Sequence, residues 1–182
     1  GSAMEAWFGG KAIQYAPIKH YQETCVTATW LKLSRQLLLL TGNCKYADAI
    51  EQTFYNALLG AMRQEGAGWA KYTPLSGQRL PGSQQCNMGL NCCEASGPRC
   101  LFSVPDIAVM QGKHGVTICF YMLGAYQVTS PQGQKITLTQ EGNYENLGEI
   151  QMSLKMPKEE EMTLSFRIPY WSTNTNVLIK NE

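Results

Sequence analysis

The chain has 182 residues, of which 44% are hydrophobic and 16% charged, and its formal net charge is +1. This composition excludes an intrinsically disordered chain, and the scattered Lys and Arg give no general attraction to nucleic acid. Apolar runs such as Leu37 to Leu40 are far too short to cross a bilayer, so no membrane segment is expected. The opening Gly1-Ser2-Ala3-Met4 resembles a cloning scar, and no charged segment followed by an apolar stretch marks a signal peptide. The compartment is therefore not legible.

After a loop-rich start punctuated by Gly9, Gly10 and Pro17, the pattern turns helical from Thr24 to Leu40. Val26, Trp30, Leu33 and Leu37 recur at spacings of three and four, and Thr41-Gly42 supplies a stop. Leu31, Leu38 and Leu39 widen that stripe, which predicts burial on more than one side. A second helix is expected from about Ala47 to Met62, with Ile50, Phe54, Ala57, Leu58 and Ala61 on its apolar face. The short Gly-Asn turn between the two predicts an antiparallel helical hairpin.

Residues 63 to 94 are mostly irregular, and a loop of that length inside a compact domain is usually functional. A third helical stretch, about Ala95 to Met110, follows and is interrupted by Pro105. Beyond Gly112 come four short runs bounded by Gly, Pro and Asn: Val116 to Tyr121, Lys135 to Gln140, Glu149 to Met156 and Met162 to Ile168. Their alternation predicts antiparallel strands with one buried face, arranged as a sandwich. The expected fold class is thus α+β, with a helical part over 1–112 and a β part over 113–182.

The chain carries seven cysteines, Cys25, Cys44, Cys86, Cys92, Cys93, Cys100 and Cys119. An odd count cannot pair fully within one chain, so some thiols must be free, buried or metal-bound. Two clusters stand out: Glu23-Thr24-Cys25 at the mouth of the first helix and Cys92-Cys93 at the end of the long loop. One carboxylate and three thiols suffice for a tetrahedral zinc site, and soft thiolates favour zinc over magnesium or calcium. Spacing alone is a weak metal signal, since no C-x-x-C pair is present, and it favours ordinary buried cysteines.

The segment Tyr21-Gln22-Glu23-Thr24-Cys25-Val26-Thr27 resembles the Glu-Thr-Cys motif of glycoside hydrolase family 127, the β-L-arabinofuranosidases. Tyr46 to Glu51 with Phe54 to Leu59 resembles that family's next helix, and Asn91-Cys92-Cys93-Glu94-Ala95-Ser96-Gly97-Pro98-Arg99 resembles its double-cysteine motif. The resemblance covers nearly all of residues 5 to 170. It implies a partial (α/α)6 barrel followed by part of a β-sandwich, and release of L-arabinofuranose from β-linked plant glycans with retention. Carried over by position, it implies that Glu23, Cys25, Cys92 and Cys93 bind zinc and that Cys92 is also the nucleophile. Glu5, in Met4-Glu5-Ala6-Trp7, falls where the family places its general acid/base; the bland reading is a surface glutamate.

Such a pair suits a retaining glycosidase, which needs a nucleophile on one face of the sugar and an acid/base on the other. Full-length members are several hundred residues long, so most barrel helices are expected outside this chain, and the chain alone is expected to be poorly active. A non-enzymatic zinc-stabilised or glycan-binding module is the alternative. A relative acting on another acid-labile plant sugar is a third possibility. Glu51 either reaches the site or is a solvated helix carboxylate, and His20 is read first as structural. Trp7, Trp69 and Tyr72 are sugar-stacking candidates or ordinary core and loop aromatics. Cys44, Cys86, Cys100 and Cys119 are expected to pack as small apolar residues.

Overall fold

The computed structural model describes residues 22–73 and 91–180. Glu5, Trp7, His20 and Cys86 lie outside the described residues. The contacts divide the chain into two compact units at Val104/Pro105.

The first unit is helical. Helix α1 spans Thr24–Thr41 and ends where Gly42 adopts φ 63°, its N–H bonded to the Leu38 carbonyl at 2.8 Å. A left-handed residue of this kind is the usual helix stop, and glycine takes it without a steric cost. After a short turn, α2 (Lys45–Thr53) passes into one turn of π-helix at Phe54–Leu58 and then into α3 (Leu59–Ala61), so the expected second helix is present with a wider turn inside it. Helix α4, Cys92–Leu101, carries Pro98 in its interior.

Which face of α1 is buried differs from the expectation. The core side presents Thr24, Ala28, Leu31, Ser34 and Leu38. The stripe that defined the period points outward, with Trp30 48% and Leu33 49% exposed. Both sides of α1 are apolar, so periodicity could not choose between them. Ala28 and Ser34 are small, and that side lets α2 and α4 approach closely. Leu31, Leu38, Ile50, Leu58 and Cys93, all at most 2% exposed, form the centre of this unit.

The third predicted helix is corrected at both ends. It starts at Cys92, and only a 3-10 turn at Pro105–Ile107 follows before Val109–Gly112 becomes a strand, β1. Pro105 cannot donate to a continuing helix, and Val109 pairs with Ile118 instead.

The second unit holds two three-stranded sheets. One has the order β1-β2-β6, with β2 at Gly115–Ile118 and β6 at Thr163–Phe166. The other has the order β3-β4-β5, with β3 at Gly124–Thr129, β4 at Lys135–Asn143 and β5 at Glu149–Lys155. Pairing is antiparallel except between β2 and β6, which run parallel, and the β3-β4-β5 segment between them supplies the long crossover a parallel pair requires. The fold is α+β, as expected. Ile136, Leu138 and Gln140 alternate inward along β4, and Val116, Ile118 and Phe120 are buried beside them in this unit.

Candidate metal centre

The site is built by fastening one extended segment to the start of α1. The Thr24 N–H donates to the Lys71 carbonyl at 3.0 Å, and Thr24 Oγ1 donates to the Ala70 carbonyl at 2.6 Å. Glu23 bridges to Tyr72, and Thr73 donates from its N–H and its hydroxyl to the Gln22 carbonyl. Gln22 has φ 57°, a left-handed conformation that non-glycine residues rarely adopt. It turns the chain so that Glu23, extended, stands as the N-cap of α1 with Cys25 in the first turn.

Helix α4 supplies the other half. Asn91 is its N-cap, and Asn91 Oδ1 accepts from the Cys93 N–H at 3.0 Å. This satisfies one of the amides that an α-helix leaves open at its start and fixes the adjacent Cys92 and Cys93 in the first turn. Two helix N-termini therefore meet, each carrying cysteine where the macrodipole favours negative charge.

Glu23, Cys25, Cys92 and Cys93 come together, with one potential ligand atom from each and all four within 4.8 Å of one another. Cys25 Sγ lies 3.4 Å from Cys93 Sγ, and Glu23 Oε1 lies 3.6 Å from Cys92 Sγ and 4.0 Å from Cys93 Sγ. A disulfide needs sulfurs at about 2.05 Å, so Cys25, Cys92 and Cys93 are not disulfide-bonded to one another. Glu23 is 4% and Cys93 0% exposed, Cys25 is half-buried and Cys92 is exposed. One cysteine thus faces outward from a site otherwise sunk in the protein. The cluster can hold a metal ion.

The thiols do not ionise alike. Cys25 is lowered to about 5, chiefly by its hydrogen bond with Cys93, against the opposing effect of burial; Ser96 and the charge of Lys71 also help. Cys92 is raised to about 11 by burial and then by the neighbouring Cys25, and Cys93 is raised by its bond to Cys25 and by burial. The three act as one coupled system, with negative charge settling first on Cys25 and suppressing ionisation of its neighbours.

The other sequence candidates separate. Trp69 is 4% exposed and stacked against Gly97, where a Cβ would fall 2.1 Å from the indole, so it is a core residue and not a sugar platform. Tyr72 does lie at the site, through its bridge to Glu23. Glu51 is buried at 3% exposure, which removes the solvated reading, but it is not among the four clustered ligands. Cys100 and Cys119 are buried as expected, whereas Cys44 is exposed at the start of α2. Its place in a turn ahead of a helix leaves it without a core to enter.

Sequence reading missed three neighbours: Asn91, Ser96 and Lys71. Asn91 was open to recognition as an N-cap beside the cysteine pair. Ser96 Oγ accepts from Cys25 Sγ at 3.4 Å, one turn along α4. Lys71, only 4% exposed, gave no signal, since its position depends on the tertiary pairing of residues 69–73 with α1.

The helical unit thus gathers a carboxylate and three thiols at two helix starts, a donor set able to hold a metal ion. Family models give the class: residues 1–106 match "Beta-L-arabinofuranosidase, GH127 catalytic domain" and residues 115–181 match the GH127 middle domain. The chain belongs to the GH127 family. It is similar to the non-reducing end β-L-arabinofuranosidase of Bifidobacterium longum subsp. longum, at 23% identity over 174 residues, covering 88% of this chain and 26% of that protein. The crystal structure of a GH127 β-L-arabinofuranosidase from Geobacillus stearothermophilus T6 superposes with a TM-score of 0.73 at 23% identity, covering 84% of this chain and 25% of the other. A GH127 β-arabinofuranosidase structure gives 0.69 at 28% identity, covering 82% of this chain and 23% of the other. The chain spans about a quarter of the length of these relatives.

Proposed function

We propose that this chain contributes the zinc-and-cysteine part of a retaining glycoside hydrolase that releases L-arabinofuranose, or a related plant sugar, from β-linked glycans. The observation that carries the reading is the convergence of Glu23, Cys25, Cys92 and Cys93, in a member of a family described by β-L-arabinofuranosidase activity. On this reading the helical part belongs to an (α/α)6 barrel and the sheet part to a β-sandwich.

The donor set fits zinc. A tetrahedron with Zn–S of about 2.3 Å and Zn–O of about 2.0 Å separates sulfurs by ~3.8 Å and sulfur from oxygen by ~3.5 Å. The separations of 3.4 Å between sulfurs and of 3.6 and 4.0 Å between sulfur and oxygen lie within about 0.5 Å of those values. Glu23, Cys25, Cys92 and Cys93 would hold the ion. When bound, zinc keeps its cysteine ligands deprotonated at neutral pH.

Cys92 is the nucleophile in this reading because it is the exposed one of the three thiols, open to a sugar while Cys93 is sealed. As a thiolate, Cys92 Sγ attacks the anomeric carbon and expels the glycan oxygen, which takes a proton from the acid/base, assigned to Glu5 by resemblance. Glu5 then activates water to cleave the thioglycosyl bond, returning the thiolate and a sugar of unchanged anomeric configuration.

The test is hydrolysis of an aryl β-L-arabinofuranoside by the protein at its natural length. Cys92→Ala is expected to lower the rate by at least about a thousandfold, and Cys44→Ala to leave it unchanged. Undiminished turnover by Cys92→Ala would overturn the assignment. The chain's span of a quarter of its relatives favours a second reading for the 182 residues in isolation, a zinc-stabilised scaffold without turnover.

A further inference from the structure

Lys71 is the feature of the cluster that the catalytic reading does not use. It is 4% exposed, and lysine is seldom buried to that degree without a specific electrostatic reason. Its backbone carbonyl accepts from the Thr24 N–H at 3.0 Å and lies 3.9 Å from Cys93 Sγ, which places the residue between both helix starts. Its ammonium sits 5.5 Å from the centre of the Tyr72 ring, and Tyr72 is bridged to Glu23.

The charge balance of the site explains why a cation belongs there. Three thiolates and one carboxylate bring four negative charges, and a divalent ion returns two. The remainder sits among Glu23 and Cys93, at 4% and 0% exposure, where water screens it poorly. The two helix N-termini offset part of it, but only with partial charges. Lys71 supplies a full positive charge, and that charge acts on Cys25.

We propose that Lys71 is a positioning residue of the metal centre, its buried ammonium offsetting the surplus negative charge of the four ligands and so tightening metal binding. This inference rests on the reading of Glu23, Cys25, Cys92 and Cys93 as metal ligands. Lys71 coordinates nothing itself; it acts as outer-shell groups do when they hold ligands in the anionic form.

The experiment is a zinc titration against a competing chelator at pH 7.5, on wild type and on Lys71→Met, Lys71→Gln and Lys71→Arg. Thermal unfolding of each metal-free form and the absorption of each cobalt(II) complex are recorded alongside. Lys71→Met keeps the apolar stem, so packing is retained while the charge is lost. The expected result is a roughly 10- to 100-fold weaker zinc affinity for the two neutral variants, with Lys71→Arg within about threefold of wild type. The cobalt spectra should all show the same set of thiolate ligands. Wild-type affinity in a folded Lys71→Met or Lys71→Gln overturns the role of Lys71 and leaves the metal site standing. Equal weakening in Lys71→Arg also overturns it, because shape and not charge is then at work. A wild type that takes up no zinc overturns the metal reading, and this proposal with it.

Discussion

Neighbouring residues on a helix project about 100° apart, so the adjacent Cys92 and Cys93 meet different surroundings. Cys93 turns into the core at 0% exposure while Cys92 stays outside, and both sulfurs remain within 4.0 Å of Glu23 Oε1. Removing either thiol should therefore weaken the site: Cys25→Ala and Cys93→Ala are each expected to lower zinc affinity at least about 100-fold in chelator competition. Cys44→Ala, exposed and distant in sequence from the cluster, should bind as wild type does. Cys100 answers a different question. Burial raises it to about 11 from an ordinary value of 9.0, so the folded chain keeps a proton that the unfolded chain releases. Its contribution is complete below about pH 9 and is lost as pH rises toward about 11. Denaturant unfolding at several pH values should show stability falling over that range, and Cys100→Ala should flatten the fall.

At the scale of elements, α1 shows both what a sequence discloses and what it withholds. Its span, its Gly42 stop and the turn into α2 were all legible, because caps and breakers act locally. Its orientation was not, because Trp30, Leu33 and Leu37 make as good an apolar stripe as Leu31 and Leu38, and only packing against α2 and α4 selects between them. Leu31→Ala should cost about 2–5 kcal/mol in urea unfolding, and Trp30→Gln less than about 0.5 kcal/mol. Equal costs would contradict the orientation. Gly97 gives a second test: an alanine methyl there meets the Trp69 ring at 2.1 Å, a contact with no room to relax between α4 and the core. Gly97→Ala is expected to destabilise the helical unit by at least about 1–3 kcal/mol, read from the same unfolding curves. Strands β1 and β3 escaped notice because Val109–Gly112 continued a helix-like apolar run and Gly124–Thr129 opens on a glycine. The parallel β2–β6 pair was equally hidden, since strand direction in a sheet is a property of the topology.

For the molecule as a whole, an ion held by the four candidate ligands would couple to folding through the helical unit. All four clustered residues lie before Val104, so loss of the ion should loosen the helices and leave the sheets alone. Hydrogen exchange with and without a chelator is expected to show protection lost at the starts of α1 and α4 and kept along β4. The four metal candidates were legible as types, and their convergence was supplied by family resemblance, since Cys25 and Cys92 are far apart in sequence and nothing local joins them. Lys71 stayed invisible for the same reason. The most direct test is X-ray absorption at the zinc K-edge of the zinc-loaded chain. The account predicts three sulfur scatterers at about 2.3 Å and one oxygen at about 2.0 Å, with one sulfur lost in Cys93→Ala. A first shell of nitrogen and oxygen alone, or one unchanged in that variant, would contradict it.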